Sequence, residues 1–227
     1  MAGEPAARAP GGRLAGVLFD LDGTLLDTLE DLADSTNRCL ARLGLPSHPS
    51  EAYRYFVGDG LGNLARRVLP AGLRDPATIE ELKELFNRDY SGHWADKTRP
   101  YEGIAGLLDE LAARGRPMAI LSNKPHAFTV EMVKHFLGAW RFSAVYGARD
   151  SHPRKPDPAA ALEISAEMQL PPARMLYAGD TGTDMQTARN AGMFAVGVLW
   201  GFRPRAELEE SGARVLVSRP EELLAYL

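Results

Sequence analysis

The sequence predicts an α/β fold in which helices cover both faces of a parallel sheet and an all-helical segment is inserted after the first strand. Three observations support this prediction. Short apolar runs rich in Val, Ile and Leu recur along the chain, amphipathic helical patterns lie between most of them, and one early stretch has helical patterns only. Strands that alternate with helices are typical of parallel sheets, because a parallel connection must cross the sheet.

The strands are predicted where apolar residues form short continuous runs. These runs are residues 14–19, 117–121, 174–178, 194–199 and 214–217, with a weaker candidate at 142–146. Between the first two runs, residues 103–114 place four apolar side chains on one helical face, and the pattern stops at Gly115, a common helix terminator. The order of these elements favours a sheet with helices on both of its faces.

The stretch from about residue 28 to residue 97 contains no convincing strand. Three amphipathic helices are predicted there, at residues 29–43, 61–69 and 79–86. The two connections to the rest of the chain, near residues 26–27 and 96–101, should therefore lie side by side. Such a segment would form a hinged lid over the ends of the strands.

Composition indicates an ordinary globular protein and excludes some partners. The chain has 227 residues, 45% hydrophobic and 25% charged, with a net charge of -4, so neither nucleic acid nor an anionic membrane is expected as a partner. A single cysteine, Cys39, excludes an internal disulfide, and the five histidines show no zinc-site spacing. Residues 1–13, rich in Ala, Pro and Gly, predict a disordered tail rather than a signal peptide. No apolar run approaches the length of a membrane span, and we expect a cytoplasmic protein.

The run VLFDLDGTLLDT is the most informative segment of the chain. It places Asp20 and Asp22 directly after an apolar strand, and Gly23 and Thr24 follow. Side chains two residues apart on a strand point the same way, so one carboxylate can attack phosphorus while the other handles the proton. Free backbone N–H groups at the following two residues would bind phosphate. A calcium loop that starts at Asp20 is the alternative, but such a loop needs glycine at its sixth position and glutamate at its twelfth, where this chain has Leu25 and Asp31.

Three further groups follow predicted strands, where open α/β sheets bind ligands. Ser122 and Asn123 can bind phosphate oxygens, although such a pair is also common in turns. Lys155 can neutralise a phosphoryl group, or it is an exposed lysine before a helix. Asp180 and Asp184 can hold and support Mg²⁺ together with the carboxylate of the first strand, although helix capping would explain one of these acids.

Together, and in this chain order, these groups resemble the four-motif set of the haloacid dehalogenase superfamily, most of whose members are magnesium-dependent phosphatases. The resemblance implies a Rossmann-like core at residues 14–26 and 98–227, with a helical cap domain at residues 27–97. The roles that it implies are nucleophile for Asp20, general acid/base for Asp22, phosphate binding for Ser122 and Lys155, Mg²⁺ ligation by Asp20, Asp180 and the backbone carbonyl of Asp22, and a supporting acid at Asp184.

Further strings are similar to the phosphoglycolate phosphatase subgroup, namely SNKPHAFT, KPDPAAAL and GVLWGF. Asp22 argues for phosphoryl transfer, because a halide leaving group needs no proton. Arg54 or Arg66 would hold the carboxylate of the substrate through a bidentate contact, or both are ordinary exposed arginines. One departure from the family pattern is that Gly182 and Thr183 replace the more usual bulkier residue and asparagine.

The expected activity is therefore Mg²⁺-dependent hydrolysis of a small phosphorylated metabolite, with 2-phosphoglycolate as the leading substrate and an aspartyl-phosphate as the intermediate. The alternatives are a pyrophosphatase or a phosphatase of broad specificity, a sugar phosphomutase similar to β-phosphoglucomutase, and a non-catalytic phosphate-binding module. The chain is expected to be a monomer or a homodimer. Substrate choice depends on the cap, whose residues the sequence does not identify.

Overall fold

The structure, a computed structural model, describes residues 14–227, and the tail expected at residues 1–13 lies outside them. The strands of the described part are β1 (Gly16–Phe19), β2 (Leu26–Asp27), β3 (Arg99–Pro100), β4 (Met118–Pro125), β5 (Ala144–Ala148), β6 (Met175–Gly179), β7 (Phe194–Val198) and β8 (Val215–Val217). The helices are α1 (Leu29–Arg42), α2 (Tyr53–Phe56), α3 (Leu61–Val68), α4 (Pro76–Tyr90), α5 (Ile104–Ala113), α6 (His126–Leu137), α7 (Ala159–Glu167), α8 (Gly182–Asn190) and α9 (Arg205–Glu210). Short 3-10 segments occur at Ser50–Ala52, Ala71–Leu73, Pro172–Arg174 and Pro220–Tyr226.

Six strands form one parallel sheet in the order β5-β4-β1-β6-β7-β8. Each of the six predicted apolar runs contributes one strand, which confirms the predicted α/β fold. If only these six strands are numbered along the chain, their order in the sheet is 3-2-1-4-5-6, which is the order of a Rossmann-like fold. The direction in which successive strands are added reverses between β1 and β6. This reversal opens a crevice at the carboxyl ends of the two strands.

The two faces of the sheet pack against different helices. Along β1, Val17 and Phe19 belong to one buried cluster with side chains of α5 and α6. The intervening Leu18 belongs to a second cluster with side chains of α7, α8 and α9. This separation follows from the alternation of side chains along a strand. A strand covered on both faces must be apolar throughout, which is why these strands read as continuous apolar runs.

Helices α1 to α4 lie between β2 and β3, which pair antiparallel at Leu26↔Pro100 and Asp27↔Arg99. The two connections therefore lie side by side, as the sequence predicts. The four helices share a buried cluster of their own, and Phe202 from the loop after β7 joins it. We call residues 27–97 the helical insertion; their status as a separate cap domain stays a prediction. Among residues 14–227, the structure contains no helix with the length and apolar character needed to cross a membrane.

Strand β4 is longer than the sequence predicts. The predicted run stops at residue 121, whereas β4 continues to Pro125, which pairs with Ala148 after a register irregularity. Ser122 and Asn123 therefore lie inside the extended strand rather than in a turn after it. The extension carries the next residue, Lys124, beyond the regular sheet and into the crevice.

Candidate active site

The candidate site lies at the carboxyl ends of β1 and β6, where the strand order reverses. Asp20 directly follows β1, and its backbone N–H donates to the carbonyl of Ala178 on β6 at 2.9 Å. Asp180 directly follows β6. Open α/β sheets bind ligands at such switch points. The topology therefore brings these two acids together, although 160 positions separate them in the chain.

Asp20, Asp180 and Asp184 form a buried carboxylate cluster, in which one oxygen of each residue lies within 4.8 Å of the others. The Nζ of Lys155 lies 2.9 Å from Oδ1 of Asp20 and 2.7 Å from Oδ1 of Asp184. The Lys155 side chain is only 2% exposed, so it is not the surface lysine that the sequence left open as an alternative. Lys155 thus pairs with two of the three carboxylates, and the cluster keeps an excess of negative charge when all three are ionised.

The pKa values of the cluster reflect this imbalance of charge. Burial, reinforced by the Asp184 carboxylate, raises the pKa of Asp20 well above its usual range, although Lys155 opposes the rise. Burial and the same neighbour raise the pKa of Asp180 to about 7. Buried like charges favour protonation of each other, and a cation among them would restore the ionised forms. An all-oxygen donor set suits a hard divalent ion, so these residues fit the predicted Mg²⁺.

Asp184 also determines how α8 begins. Thr181 is the N-cap of the helix; its Oγ1 accepts the backbone N–H of Asp184 at 3.4 Å, and its own backbone N–H donates to Oδ2 of Asp184 at 3.0 Å. This reciprocal arrangement is a capping box. The other oxygen of Asp184 binds Lys155, so capping and support of the site, which the sequence presents as alternatives, are combined in one carboxylate.

Asp180 is fixed by donors from two other segments. The hydroxyl of Thr24 donates to its Oδ1 at 2.9 Å, and the backbone N–H of Phe202 donates to its Oδ2 at 2.8 Å. Gly201 packs directly against the same side chain, because a Cβ at this position would lie 2.3 Å from the Cβ of Asp180. The loop after β7 therefore orients this acid, which sequence reasoning missed.

The expectation of free backbone N–H groups at Gly23 and Thr24 is wrong. The N–H of Gly23 donates to the carbonyl of Leu26 at 2.8 Å, and the N–H of Thr24 donates to the carbonyl of Leu21 at 3.3 Å. Both groups are used because the chain turns back on itself here. Gly23 has a φ of +89°, and a Cβ there would lie 2.3 Å from Oδ2 of Asp180. In the structure both residues contact Asp180, because Gly23 packs against its carboxylate and the Thr24 hydroxyl donates to it.

Asp22 has a partner that the sequence did not reveal. The Nζ of Lys124 lies 3.1 Å from its Oδ1 and 3.4 Å from its Oδ2, and 2.9 Å from the hydroxyl of Tyr90 on α4. Although burial lowers the pKa of Lys124, Asp22 and Tyr90 more than compensate and raise it above its usual value. The Asp22 side chain therefore pairs with Lys124 and is not part of the cluster of Asp20, Asp180 and Asp184.

Ser122 and Asn123 are close to the site but are engaged by the protein. The Oγ of Ser122 accepts the backbone N–H of Lys124 at 3.1 Å. The side chain of Asn123 accepts the backbone N–H of Lys155 at 3.0 Å and donates to the carbonyls of Lys155, at 3.3 Å, and Gly58, at 3.2 Å. Asn123 therefore joins β4, the lysine segment and the helical insertion, and its amide is not free for a phosphate oxygen.

Arg54 is not brought to the reacting end of the site. Its guanidinium pairs with Glu51 at 2.7 Å and donates to the carbonyl of Gly201 at 2.8 Å. Arg66 is exposed on α3. Neither arginine lines the pocket beside Asp20. Arg66 is therefore an ordinary surface arginine, which is one of the two alternatives that the sequence left open. Arg54 instead connects the helical insertion to the loop after β7.

Between the sheet and the helical insertion lies a pocket of about 60 Å³. Asp20, Asp22, Ser122 and Lys124 contribute its polar wall. The opposite side is largely apolar and comes from the insertion, β4 and the start of α6, with side chains of Leu32, Val57, Leu61, Leu64, Phe86, Pro125 and Phe128. Asp20 and Asp22 therefore face a small, mostly apolar space.

The loop between α2 and α3 is bound to α8 and to the loop after β7 by direct hydrogen bonds. The hydroxyl of Thr183 donates to Oδ1 of Asp59 at 2.7 Å, and Nη2 of Arg203 donates to the carbonyl of Val57 at 2.9 Å. Thr183 is one of the two residues that depart from the family pattern. Its hydroxyl gives this departure a structural purpose, because it holds the helical insertion against α8.

Comparison with known proteins identifies the family. The sequence pattern of haloacid dehalogenase-like hydrolases matches residues 17–198, a span that includes Asp20, Lys155 and both acids of the α8 segment. The chain therefore belongs to the haloacid dehalogenase-like hydrolases.

Individual relatives are phosphatases. A phosphoglycolate phosphatase of Pseudomonas putida is 32% identical over 92% of this chain and 78% of its own length. An N-acetylmuramic acid 6-phosphate phosphatase of Pseudomonas aeruginosa is 34% identical over 95% of each chain. A solved structure from Haemophilus somnus, described as a predicted phosphoglycolate phosphatase, has a TM-score of 0.87 with 25% identity, over 95% of this chain and 98% of that one. The chain is thus an enzyme of this hydrolase family, similar to its phosphatase members.

Proposed function

We propose that the protein is a Mg²⁺-dependent phosphatase that hydrolyses a small phosphorylated metabolite through an aspartyl-phosphate, with 2-phosphoglycolate as the leading substrate. The observation that carries the proposal is the buried cluster of Asp20, Asp180 and Asp184 around Lys155 at the switch point of the sheet. The names of several relatives, at 30% to 34% identity, support the substrate.

In the first chemical step, Asp20 attacks phosphorus. A bond forms between its carboxylate oxygen and phosphorus while the bond to the leaving oxygen breaks, and Asp22 donates a proton to that oxygen. Lys155, 2.9 Å from Asp20, orients the nucleophile and offsets the negative charge of the phosphoryl group. Asp20 and Asp180 would hold Mg²⁺, which would supply further positive charge to offset the negative charge of the phosphoryl group.

In the second step, a water molecule attacks the aspartyl-phosphate. Asp22 accepts a proton from this water, the new oxygen–phosphorus bond forms, and the bond between phosphorus and Asp20 breaks to release phosphate. Asp22 suits both tasks because its side chain lines the pocket beside Asp20 but does not join the carboxylate cluster. The same residue therefore handles the proton in both directions.

The helical insertion is proposed to act as a cap that moves about the paired strands β2 and β3. It closes the pocket over Asp20, and its residues form most of the apolar wall. Closure would exclude bulk water while the leaving group departs, and reopening would admit water for the second step. The small volume of the closed pocket favours a small leaving group over a large sugar.

The test is kcat/KM for phosphate release from a panel of esters, measured with Mg²⁺ and with chelator. The panel contains 2-phosphoglycolate, pyrophosphate, a nucleoside monophosphate, glucose 1-phosphate and N-acetylmuramic acid 6-phosphate. We expect release from 2-phosphoglycolate to be fastest, to stop on chelation, and to be absent in Asp20→Asn with unchanged folding. Isomerisation of the sugar phosphate without free phosphate would indicate a mutase, and comparable slow rates on all esters would indicate broad specificity.

A further inference from the structure

Lys124 is the only cation among the pocket-lining side chains in residues 14–227. Lys155, the other lysine of the site, is not part of the pocket wall and is engaged by Asp20 and Asp184. The Lys124 side chain is 5% exposed, and burial of an ammonium group is costly unless it has polar partners. Two polar partners offset this cost, and the charge lies on the wall that the leaving group of a substrate would contact.

The partners of Lys124 leave it able to accept another. An ammonium group has three N–H donors. One donor serves the hydroxyl of Tyr90 at 2.9 Å, and one serves the carboxylate of Asp22, whose nearer oxygen is 3.1 Å away. The third contact is to the second oxygen of the same carboxylate, at 3.4 Å, and it is the longest of the three. An anion that enters the pocket beside Asp22 can take over the donor of this long contact.

The position of Lys124 is firmly fixed. Its partner Tyr90 is buried, stacks on Phe86 at 4.9 Å between ring centroids, and meets Phe128 edge-on at 5.3 Å. Such a preorganised cation costs little further entropy when it binds a ligand. The remaining walls of the pocket are mainly apolar. They offer few hydrogen-bond partners to replace the water that the hydroxyl groups of a sugar phosphate would lose on binding.

We infer that Lys124 binds a carboxylate on the leaving group and so determines specificity. The site would then select small phosphate esters in which a carboxylate lies next to the ester-bearing carbon. This inference rests on the proposed phosphatase function and deepens it, because it assigns the recognition of the substrate carboxylate to β4 rather than to the arginines of the helical insertion.

The experiment compares two substrates that differ only at the recognised group. These are 2-phosphoglycolate and 2-hydroxyethyl phosphate, in which a neutral CH₂OH replaces the carboxylate. The selectivity is the ratio of their kcat/KM values. We expect Lys124→Met to lower this ratio by about 10- to 100-fold, the range typical of a hydrogen bond between charged groups. The control is Lys134→Met, the same change at an exposed position of α6, which should leave the ratio unchanged.

A merely indirect role for Lys124 predicts a different result. If the lysine only positions Asp22, Lys124→Met lowers both kcat/KM values by the same factor, and the inference is overturned. Tyr90→Phe provides a second test that keeps the charge but removes the hydroxyl that fixes it. We expect it to lower the selectivity by about 3-fold, less than loss of the charge itself, because the ammonium group stays but is held less firmly. An unchanged ratio would count against the inference even if Lys124→Met does not fold.

The wild-type enzyme separates failure of this inference from failure of the proposed function. Equal rates on the two esters would overturn carboxylate recognition while leaving the phosphatase activity in place. A clear preference for pyrophosphate over 2-phosphoglycolate would also overturn it, because the pocket would then read a second phosphate. Absence of Mg²⁺-dependent phosphate release from every ester would refute the proposed function itself.

Discussion

A methyl group added at Gly201 should displace the acid that is proposed to hold the metal. An alanine Cβ at this position would lie 2.3 Å from the Cβ of Asp180, 2.6 Å from its Cγ and 2.3 Å from the carbonyl oxygen of Gly23. Carbon atoms in contact prefer separations of about 3.5–4.0 Å. The overlap is more than about 1 Å by that measure. Because backbone and the stem of a buried side chain are involved, either Asp180 or the loop after β7 must move.

The size of the effect follows from this overlap. Overpacking of a buried site costs about 1–3 kcal/mol of the free energy of unfolding. A shift of about 1 Å in a reacting constellation lowers the rate by about 100-fold, and disturbance of groups that orient a metal ligand lowers metal affinity by about 10- to 100-fold. We therefore expect Gly201→Ala to lower kcat/KM by about 100-fold and to raise the half-saturating Mg²⁺ concentration at least about 10-fold.

The assay is phosphate release as a function of Mg²⁺ concentration, together with urea denaturation. Gly106→Ala is the matched control, because this exposed glycine lies inside α5 and a Cβ there would meet no atom within 4 Å. The control should gain about 0.5–1 kcal/mol from higher helix propensity and keep its Mg²⁺ dependence. Wild-type Mg²⁺ dependence and kcat/KM in Gly201→Ala would refute the assignment of Asp180 as a metal ligand held by this loop.

Two other predictions concern charge and the helical insertion. In metal-free protein, burial raises the pKa of Asp180 from 3.8 to about 7. The contribution of this group to stability is therefore complete below the lower value and is lost as the pH rises through about 7. Thermal melts in chelator should show falling stability from pH 5 to 8, and saturating Mg²⁺ should remove most of the fall; a flat profile in chelator would contradict this prediction. Thr183→Val removes the hydroxyl that donates to Asp59 at 2.7 Å, and this hydrogen bond is worth about 1 kcal/mol. Amide hydrogen exchange at residues 57–60 should therefore be about 5-fold faster than in the wild type. Unchanged exchange would show that this contact does not hold the insertion.

The sheet and the helices were predictable because their signals are local. A buried parallel strand is a short apolar run, and a helix repeats its apolar residues on one face, so six strands and the main helices of the insertion could be read from composition and spacing. The bounds were less certain. The extension of β4 to Pro125 was missed because Ser122, Asn123 and Lys124 are polar, and polar residues after an apolar run normally indicate the end of a strand.

The acids of the site were predictable for the same reason, since Asp20 and Asp180 lie at the ends of apolar runs and Asp22 and Asp184 lie two and four residues further along. Their partners were not. The Lys124–Asp22 ion pair joins residues 102 positions apart, and the Thr183–Asp59 hydrogen bond joins residues 124 positions apart. No periodicity links such positions, so only the pairing of β1 with β4 and the placement of the insertion reveal them. The unusual Thr183 was a visible signal, but the sequence did not indicate its partner.

The loop after β7 connects the helical insertion to Asp180, the acid that is proposed to bind the metal. The Phe202 side chain is buried in the cluster of the insertion, while its backbone N–H donates to Oδ2 of Asp180 at 2.8 Å. On either side of it, Gly201 accepts a hydrogen bond from Arg54 of the insertion, and Arg203 donates to the carbonyl of Val57. A movement of the insertion that withdraws these contacts must therefore act on the backbone that orients Asp180. Closure of the pocket and alignment of this carboxylate are consequently coupled through one short segment, and the close packing of Gly201 leaves that segment little freedom to move independently.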